Sequence, residues 1–458
     1  MIENNNQIRD SFGSKFGVIA AAAGSAVGLG NIWRFPLVTT QNGGGAFLLL
    51  YIGFVILIGI PVMLSEFSIG RRAQLNAFGS FKKLAPGTPW FLVGSLGIIT
   101  AFAILAFYST VAGWTLEYFA QAITGKLSHV NDMQKNFADF SSQTYRPLMW
   151  QFIIMLVTSV VVFAGIKKGI EKFTKILMPV LAVLILFVAF RSVTLEGAME
   201  GVKYLFVPNW SAVSFKTVLM ALGQAAFSLS IGMGTLITYG SYIQKDNHLL
   251  RTSTQVAITD TSIAILASLM VIPAIFAFSP GSDVASLSPG PGLVFEVLPD
   301  VFKSMPGGSF FSVLFFFLLS VAALTSTISV LEVVVAYLKE ELKLSRGMAT
   351  LIAAVSISVL GVLATLSFGV MKDFTIFEMT VFDLLNYASA NIMLTFGALL
   401  IVIFVGWRMG KSDFINEISN QGSLKSNLFK GVYFIIRYIA PVAIGIIAIA
   451  TFFIQGIV

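Results

Sequence analysis

Long apolar runs, separated by short polar or Pro/Gly-rich breaks, fill this chain from one end to the other. The runs reach or exceed about 20 residues, the length that a helix needs to cross the hydrocarbon core of a bilayer. None of them alternates in polarity over about 10 residues, as the strands of a membrane β-barrel do. The pattern predicts an all-α membrane protein with 11 transmembrane helices. Their approximate positions are 16–40, 45–70, 89–123, 148–165, 173–192, 215–243, 253–279, 309–338, 347–370, 376–408 and 431–455.

Glycine interrupts two of the predicted helices near the middle. The first helix carries GSAVGLGN from Gly24 to Asn31, and the sixth carries SLSIGMG from Ser228 to Gly234. For one such stretch alone, close helix packing through small residues is about as good an explanation as a binding site. Two stretches at matching positions are typical of an inverted-repeat transporter whose binding site lies at the interruptions. The predicted organisation is one domain over 1–458, with 5+5 inverted repeats at 16–192 and 215–408 and an eleventh helix at 431–455.

Composition and charge define the environment and the orientation. Of the 458 residues, 56% are hydrophobic and 11% are charged, which excludes an ordinary soluble domain. With the N-terminus in the cytoplasm and the C-terminus outside, 20 of the 29 Lys and Arg residues fall in inner connections and 8 in outer ones. This asymmetry follows the positive-inside rule, and a miscounted helix would abolish it. The net charge of +7 therefore reports topology in a lipid bilayer, and no nucleic-acid partner is expected.

Among the ionisable residues within the predicted helices, we select five as functional candidates: Arg34, Glu66, Asp260, Glu332 and Asp383. Each is costly in a bilayer unless it is paired, hydrated or bound to an ion, so each is a functional candidate. Arg34 follows the first interruption and Asp383 begins the tenth helix. We expect the two to form a gate between the site and outside water, with a structural salt bridge as the alternative.

Oxygen ligands for a small hard cation recur in two helices. Asp260 lies among hydroxyl residues in AITDTSIAIL, and Thr325 and Ser326 are adjacent in ALTSTIS. The chain has no Cys, and its two His residues fall in connecting segments, which argues against a transition metal. The alternative for buried hydroxyls is a hydrogen bond to the preceding turn of their own helix.

Four motifs carry a resemblance to a known family: GSAVGLGNIWRFP, NGGGAF at Asn42–Phe47, GQAAFSLSIGMG at Gly223–Gly234, and ALTSTIS. The chain resembles the neurotransmitter:sodium symporter family, particularly its bacterial sodium-coupled amino-acid transporters, over nearly its whole length. The resemblance implies two sodium ions beside a mid-membrane amino-acid site, and location in the bacterial inner membrane.

The resemblance also implies which residues form each site. The first sodium would bind the Ala26 carbonyl, Asn31, Ser228, Asp260 and the substrate carboxylate. The second would bind carbonyls of Gly24, Val27 and Ala322 and the hydroxyls of Thr325 and Ser326. The substrate would contact Ala26, Gly28, Leu29, Gly30, Ile104, Tyr108, Phe227, Ser228, Ser230, Met233, Ser326 and Val330. Its carboxylate would meet the amides near Leu29 and Gly30 and the hydroxyl of Tyr108.

Three departures from relatives refine these expectations. Gly28 stands where amine-transporting relatives have an aspartate, which favours amino acids over monoamines. Met233 stands where a bacterial leucine transporter has phenylalanine, and its flexible side chain makes room for larger substrates. We therefore expect import of hydrophobic L-amino acids, with aromatic ones among the candidates. Asp260 replaces a common asparagine, which predicts independence from chloride and allows proton antiport during the empty return step.

On the inner side, Arg9 and Glu340 match the inner gate of the family, with Phe12 in place of its usual tryptophan. The resemblance also implies that Gly169 and Pro179, assigned to the fifth helix, mark a segment that unwinds. Two other readings stay open: an ion channel, and an amino-acid receptor that does not transport. An enzyme is not expected, because HExxH, GxSxG and P-loop motifs are absent. The sequence sets no oligomeric state.

Overall fold

The computed structural model describes residues 10–278 and 293–453, and these residues form a bundle of long apolar helices. Nine helices in the described part are long and apolar enough to cross a membrane. Each corresponds to one predicted helix, and we number them accordingly. They are the second (Gly45–Ala73), third (Phe91–Ile123), fourth (Tyr145–Phe163), fifth (Ile166–Val193), seventh (Leu249–Phe278), eighth (Gly308–Glu341), ninth (Arg346–Leu366), tenth (Val381–Met409) and eleventh (Leu428–Ala450).

The first helix is broken, as its glycines predict. Its two halves, Lys15–Ala26 and Gly30–Gln41, meet at an angle of 55°. We call them the inner and the outer half, after the orientation predicted from the sequence. The break is shorter than the predicted interruption, because the amide of Val27 still donates to the carbonyl of Ala23 at 2.7 Å. The helical backbone therefore continues through Gly24.

The sixth helix is also broken, into Phe215–Ser228 and Thr235–Gly240. Both pieces are shorter than a full span, so the count of 11 transmembrane helices remains a prediction, as do the repeat boundaries. Gly232 lies in the break with φ +93°, and a Cβ there would collide with the backbone of the tenth helix, 2.9 Å from the amide nitrogen of Ala398. Glycine at this position follows from both its conformation and this close approach.

Two predicted helix starts are wrong. The fifth helix begins at Ile166, seven residues before the predicted 173, because Ile166–Glu171 form a π-helical turn that continues into the apolar segment. The tenth helix begins at Val381 rather than at 376, because a short hairpin pairs Thr375–Ile376 with Met379–Thr380.

Shorter helices lie in the connections. The connection between the third and fourth helices contains Lys126–His129 and Met133–Ser141, and part of the connection between the seventh and eighth helices lies outside the described residues. The other short helices are Ala77–Leu84, Ala198–Phe206, Trp210–Ala212, Leu293–Val297, Leu298–Ser304 and Lys411–Ile418.

Burial separates central from peripheral helices. In the most apolar stretch of the eighth helix, 78% of the residues are buried within the protein, against 33% in the fifth and in the eleventh. The fifth helix exposes Val183, Leu186 and Phe190, which suit contact with lipid. The eighth helix therefore lies at the centre, where its Thr and Ser residues meet the broken first helix.

Candidate ion and substrate site

The carboxylate of Asp260 lies at the meeting point of four helices. It accepts hydrogen bonds from the hydroxyl of Ser228 at 2.7 Å, the amide of Asn31 at 2.7 Å and the hydroxyl of Tyr51 at 3.2 Å. Asp260 is fully buried, and no Lys, Arg or His forms an ion pair with it among the described residues. A buried carboxylate with donors but no cationic side chain is a favourable place for a metal cation.

These contacts bring together three of the four residues predicted for the first sodium, namely Asn31, Ser228 and Asp260. The fourth, Ala26, is the last residue of the inner half of the first helix. Tyr51 was missed by the sequence analysis. Its position on an apolar second helix offered no signal besides one hydroxyl group.

The residues predicted for the second sodium also converge. The hydroxyl of Ser326 donates to the carbonyl of Val27 at 3.3 Å, and that of Thr325 donates to the carbonyl of Ala322 at 3.0 Å. A Cβ built on Gly24 would lie 3.5 Å from the Cβ of Thr325. Thr325 thus makes the bond to the preceding turn that the alternative reading expects. The two readings are compatible, because a hydroxyl that donates its proton keeps lone pairs for a cation.

Two glycines in the first helix, at or next to the break, allow side chains of the third, sixth and eighth helices to approach its backbone closely. A Cβ on Gly28 would lie 2.5 Å from the hydroxyl oxygen of Ser326 and 3.2 Å from that of Tyr108. A Cβ on Gly30 would lie 2.9 Å from the ring of Phe227. The amide of Leu29 donates to the hydroxyl of Tyr108 at 3.2 Å. An amide and a hydroxyl thus meet at the start of the outer half-helix, where helix polarity favours an anion.

The other predicted substrate contacts lie on the same elements. Ile104 is one helical turn from Tyr108, and Val330 is one turn from Ser326, which places each pair on one helix face. Ser230 lies in the sixth-helix break, where its hydroxyl donates to the carbonyl of Ser25 at 3.0 Å. Met233 lies in the same break and is buried, 6% exposed.

Comparison with known proteins identifies the family. A model described as the Sodium:neurotransmitter symporter family matches residues 9–139 and 129–456. The chain belongs to this family. It is 38% identical to the uncharacterized sodium-dependent transporter YhdH of Bacillus subtilis (strain 168), covering 95% of this chain and 96% of that protein. It is 27% identical to the sodium-dependent serotonin transporter of Drosophila melanogaster, over 96% of this chain and 76% of that one.

A solved structure is similar over nearly the full length. It is the crystal structure of MhsT in complex with L-phenylalanine, with a TM-score of 0.88 and 46% sequence identity, covering 97% of this chain and 100% of that one. The expected family and the all-α membrane fold are confirmed. The protein is a multi-span member of a family of sodium-dependent transporters rather than of enzymes.

Arg34 and Asp383, the two residues expected to form the outer gate, are both among the described residues and form no ion pair with each other. The guanidinium of Arg34 lies over the ring of Phe227, 4.5 Å from its centre. Asp383 is exposed, and its carboxylate accepts the hydroxyl of Thr380 at 2.7 Å in the first turn of the tenth helix. Since Phe227 also lies against Gly30, Arg34 and Phe227 together cover the outer side of the break.

On the inner side, Arg9 lies outside the described residues. Glu340 accepts the backbone amide of Asn76 at 2.7 Å and its side-chain amide at 3.0 Å. Phe12 is buried edge-on against Tyr239 and Tyr242, and its amide donates to the carbonyl of Tyr242. The aromatic residue expected at the inner closure is therefore packed into the sixth helix.

Three other buried carboxylates in the described helices have hydrogen-bond or ion-pair partners, although one oxygen of Glu66 has none among the described residues. Glu332 forms an ion pair with Arg346 at 2.5 Å, and Glu66 accepts the amide of Gly232 at 2.7 Å. Glu117 is fully buried in the third helix and forms an ion pair with Arg146 at 2.6 Å. Glu117 was not among the residues predicted from the sequence, although a charge within an apolar run was a sufficient signal.

Proposed function

We propose that the protein imports hydrophobic L-amino acids, aromatic ones included, across the bacterial inner membrane by sodium-coupled alternating access. The contact between Gly28, Ser326 and Tyr108 carries this proposal. A side chain at position 28 would meet the hydroxyl groups of Ser326 and Tyr108, so glycine there favours a substrate that brings its own carboxylate. The amide of Leu29 and the hydroxyl of Tyr108 suit that carboxylate. The bound L-phenylalanine of MhsT, at 46% identity, supports a hydrophobic substrate.

Two sodium ions accompany the substrate in this proposal. The first binds Asn31, Ser228, Asp260 and the carbonyl of Ala26, and the substrate carboxylate completes its ligands. The second binds the backbone carbonyls of Gly24, Val27 and Ala322 and the hydroxyls of Thr325 and Ser326. Because the first sodium and the carboxylate attract each other in a cavity of low dielectric constant, each strengthens binding of the other. That reciprocal coupling is what symport requires.

Asp260 supplies the fixed negative charge that makes chloride unnecessary. When sodium leaves, a lone buried carboxylate is costly, and proton uptake removes that cost. We infer that Asp260 returns protonated, so that each cycle exports a proton.

Uptake into proteoliposomes tests the proposal. An inward sodium gradient should accumulate labelled L-phenylalanine above its external concentration, in chloride-free buffer and with acidification outside, whereas a potassium gradient should not. Tyramine, which lacks a carboxylate, should not compete. Binding without accumulation would favour the receptor, and flux that only equilibrates the label would favour the channel.

A further inference from the structure

Glu171 joins the fifth helix to the start of the first. One carboxylate oxygen accepts the backbone amide of Gly13 at 2.6 Å, and the other accepts the hydroxyl of Ser14 at 2.9 Å. Lys175, one turn along the fifth helix, forms an ion pair with the same carboxylate at 2.5 Å. Ser14 is the N-cap of the first helix, where its hydroxyl accepts the amide of Gly17 at 3.0 Å. Glu171 thus holds the residues that begin the first helix.

The contact between these two helices continues to the proposed second sodium. A Cβ on Gly17 would lie 2.5 Å from the carboxyl carbon of Glu171. One on Gly24 would lie 3.5 Å from Thr174 and 3.4 Å from Met178. Glu171, Thr174 and Met178 follow i, i+3, i+7 spacing and therefore share a helix face. This face covers the inner half of the first helix from its cap to a carbonyl proposed to bind sodium.

We propose that Glu171 is a positioning residue that clamps the inner half of the first helix onto the fifth helix and thereby limits release of the second sodium to the cytoplasm. The inference rests on the proposed function, since it takes Gly24 as a sodium ligand and uses the predicted orientation.

The local backbone of the fifth helix makes such a clamp releasable. Glu171 ends the π-helical turn that starts at Ile166, and Pro179 removes one hydrogen bond from the same helix. A shift of this segment withdraws the carboxylate from Gly13 and Ser14 together. We call the contact between the first and fifth helices the seam. Lys175 lies on the same helix as Glu171 with its side chain 34% exposed, so it keeps its ion pair with Glu171 as the seam opens. The Glu171 carboxylate is therefore ion-paired whether the seam is open or closed, whereas its hydrogen bonds to the first helix exist only when the seam is closed.

The chain has no cysteine, so one introduced thiol reports on the seam without background. Thr174 is fully buried in the seam, and Thr174→Cys provides that thiol. A membrane-impermeant maleimide is applied from the cytoplasmic side of inside-out vesicles, with potassium or sodium and without substrate. Adding Glu171→Ala removes two charge-assisted hydrogen bonds, and should raise the labelling rate in potassium about tenfold. Apparent sodium affinity in uptake should fall by a similar factor, with the maximal rate retained.

Matched variants separate the clamp from the ion pair. Lys175→Met leaves the carboxylate bound to Gly13 and Ser14, so it should change labelling less than Glu171→Ala. Ser14→Ala removes one donor and should give an intermediate rise, which serves as the test if Glu171→Ala does not fold. Glu200→Ala, an exposed acidic residue on the helix Ala198–Phe206, should leave the rate unchanged.

Equal labelling rates in the parent, Glu171→Ala and Ser14→Ala would overturn the clamp, whatever the uptake activity. Because labelling is measured without substrate, its rates judge the clamp independently of transport. If neither the Thr174→Cys parent nor the unmodified chain shows sodium-driven uptake, that result would instead contradict the proposed function.

Discussion

Asn31 and Asp260 lie 229 positions apart in the chain, yet their side chains are hydrogen-bonded at 2.7 Å in the membrane interior. The same Asn31 side chain accepts the amide of Gly28 at 3.2 Å. One amide group therefore connects the broken backbone of the first helix to the buried carboxylate of the seventh. This link would connect the ion site proposed at Asp260 to the backbone proposed to face the substrate.

Replacing Asp260 by asparagine should remove the fixed negative charge while keeping the side-chain shape. We expect sodium-driven uptake in chloride-free buffer to fall at least tenfold, because the first sodium loses a charged ligand. The exposed Asp373→Asn is the matched control and should have no effect. Unchanged uptake of Asp260→Asn both with and without chloride would contradict the role given to this carboxylate.

Gly28→Ala tests the close approach that carries the functional proposal. Its Cβ would lie 2.5 Å from the hydroxyl oxygen of Ser326, so either this hydroxyl or the backbone of the break must shift. We expect amino-acid affinity, measured by equilibrium binding in saturating sodium, to fall about tenfold or more. Gly53→Ala adds the same methyl group where nothing lies within 4 Å, and should bind normally. Similar affinity in both variants would show that Gly28 lies away from the substrate.

Thr325→Val removes a hydroxyl group at nearly constant volume. If this hydroxyl binds the second sodium, the sodium dependence of uptake should change from sigmoidal to hyperbolic, with about tenfold weaker apparent affinity. Thr350→Val is a matched control, because the hydroxyl of Thr350 also donates to the preceding turn, at 2.8 Å to the carbonyl of Arg346. Equal behaviour of the two valine variants would assign Thr325 to helix stability alone.

Met233→Phe tests the basis of substrate size. A rigid ring in place of the flexible thioether should reduce uptake of L-tryptophan relative to L-leucine by about tenfold, since differences of a few heavy atoms in an apolar pocket change selectivity by that order. Met149→Phe, at an exposed position of the fourth helix, should leave the ratio unchanged. An unchanged ratio in Met233→Phe would place this side chain away from the substrate.

Hydropathy was sufficient to predict the long helices. A long apolar run is unfavourable in water, and each run is one continuous segment of the chain, so it can be recognised locally. Glycine-rich stretches at Gly24–Asn31 and Ser228–Gly234 predicted both breaks for a similarly local reason. The family resemblance named Asn31, Ser228 and Asp260 in advance, and their hydrogen bonds place them side by side. Their roles as ion ligands remain predictions.

Other features depended on residues distant in sequence, which no local pattern reports. Tyr51 reaches Asp260 only because the second and seventh helices pack together, and Arg34 lies over Phe227 rather than beside Asp383 because the first helix contacts the sixth. In the sequence, Glu171 is an ordinary charged residue near the start of the fifth helix. Its contact with the first helix is visible only in the folded structure. The sequence by itself determined which segments enter the bilayer and where two of them break. Tertiary packing alone decided which polar groups meet inside, because a buried side chain takes its partner from the neighbouring helix.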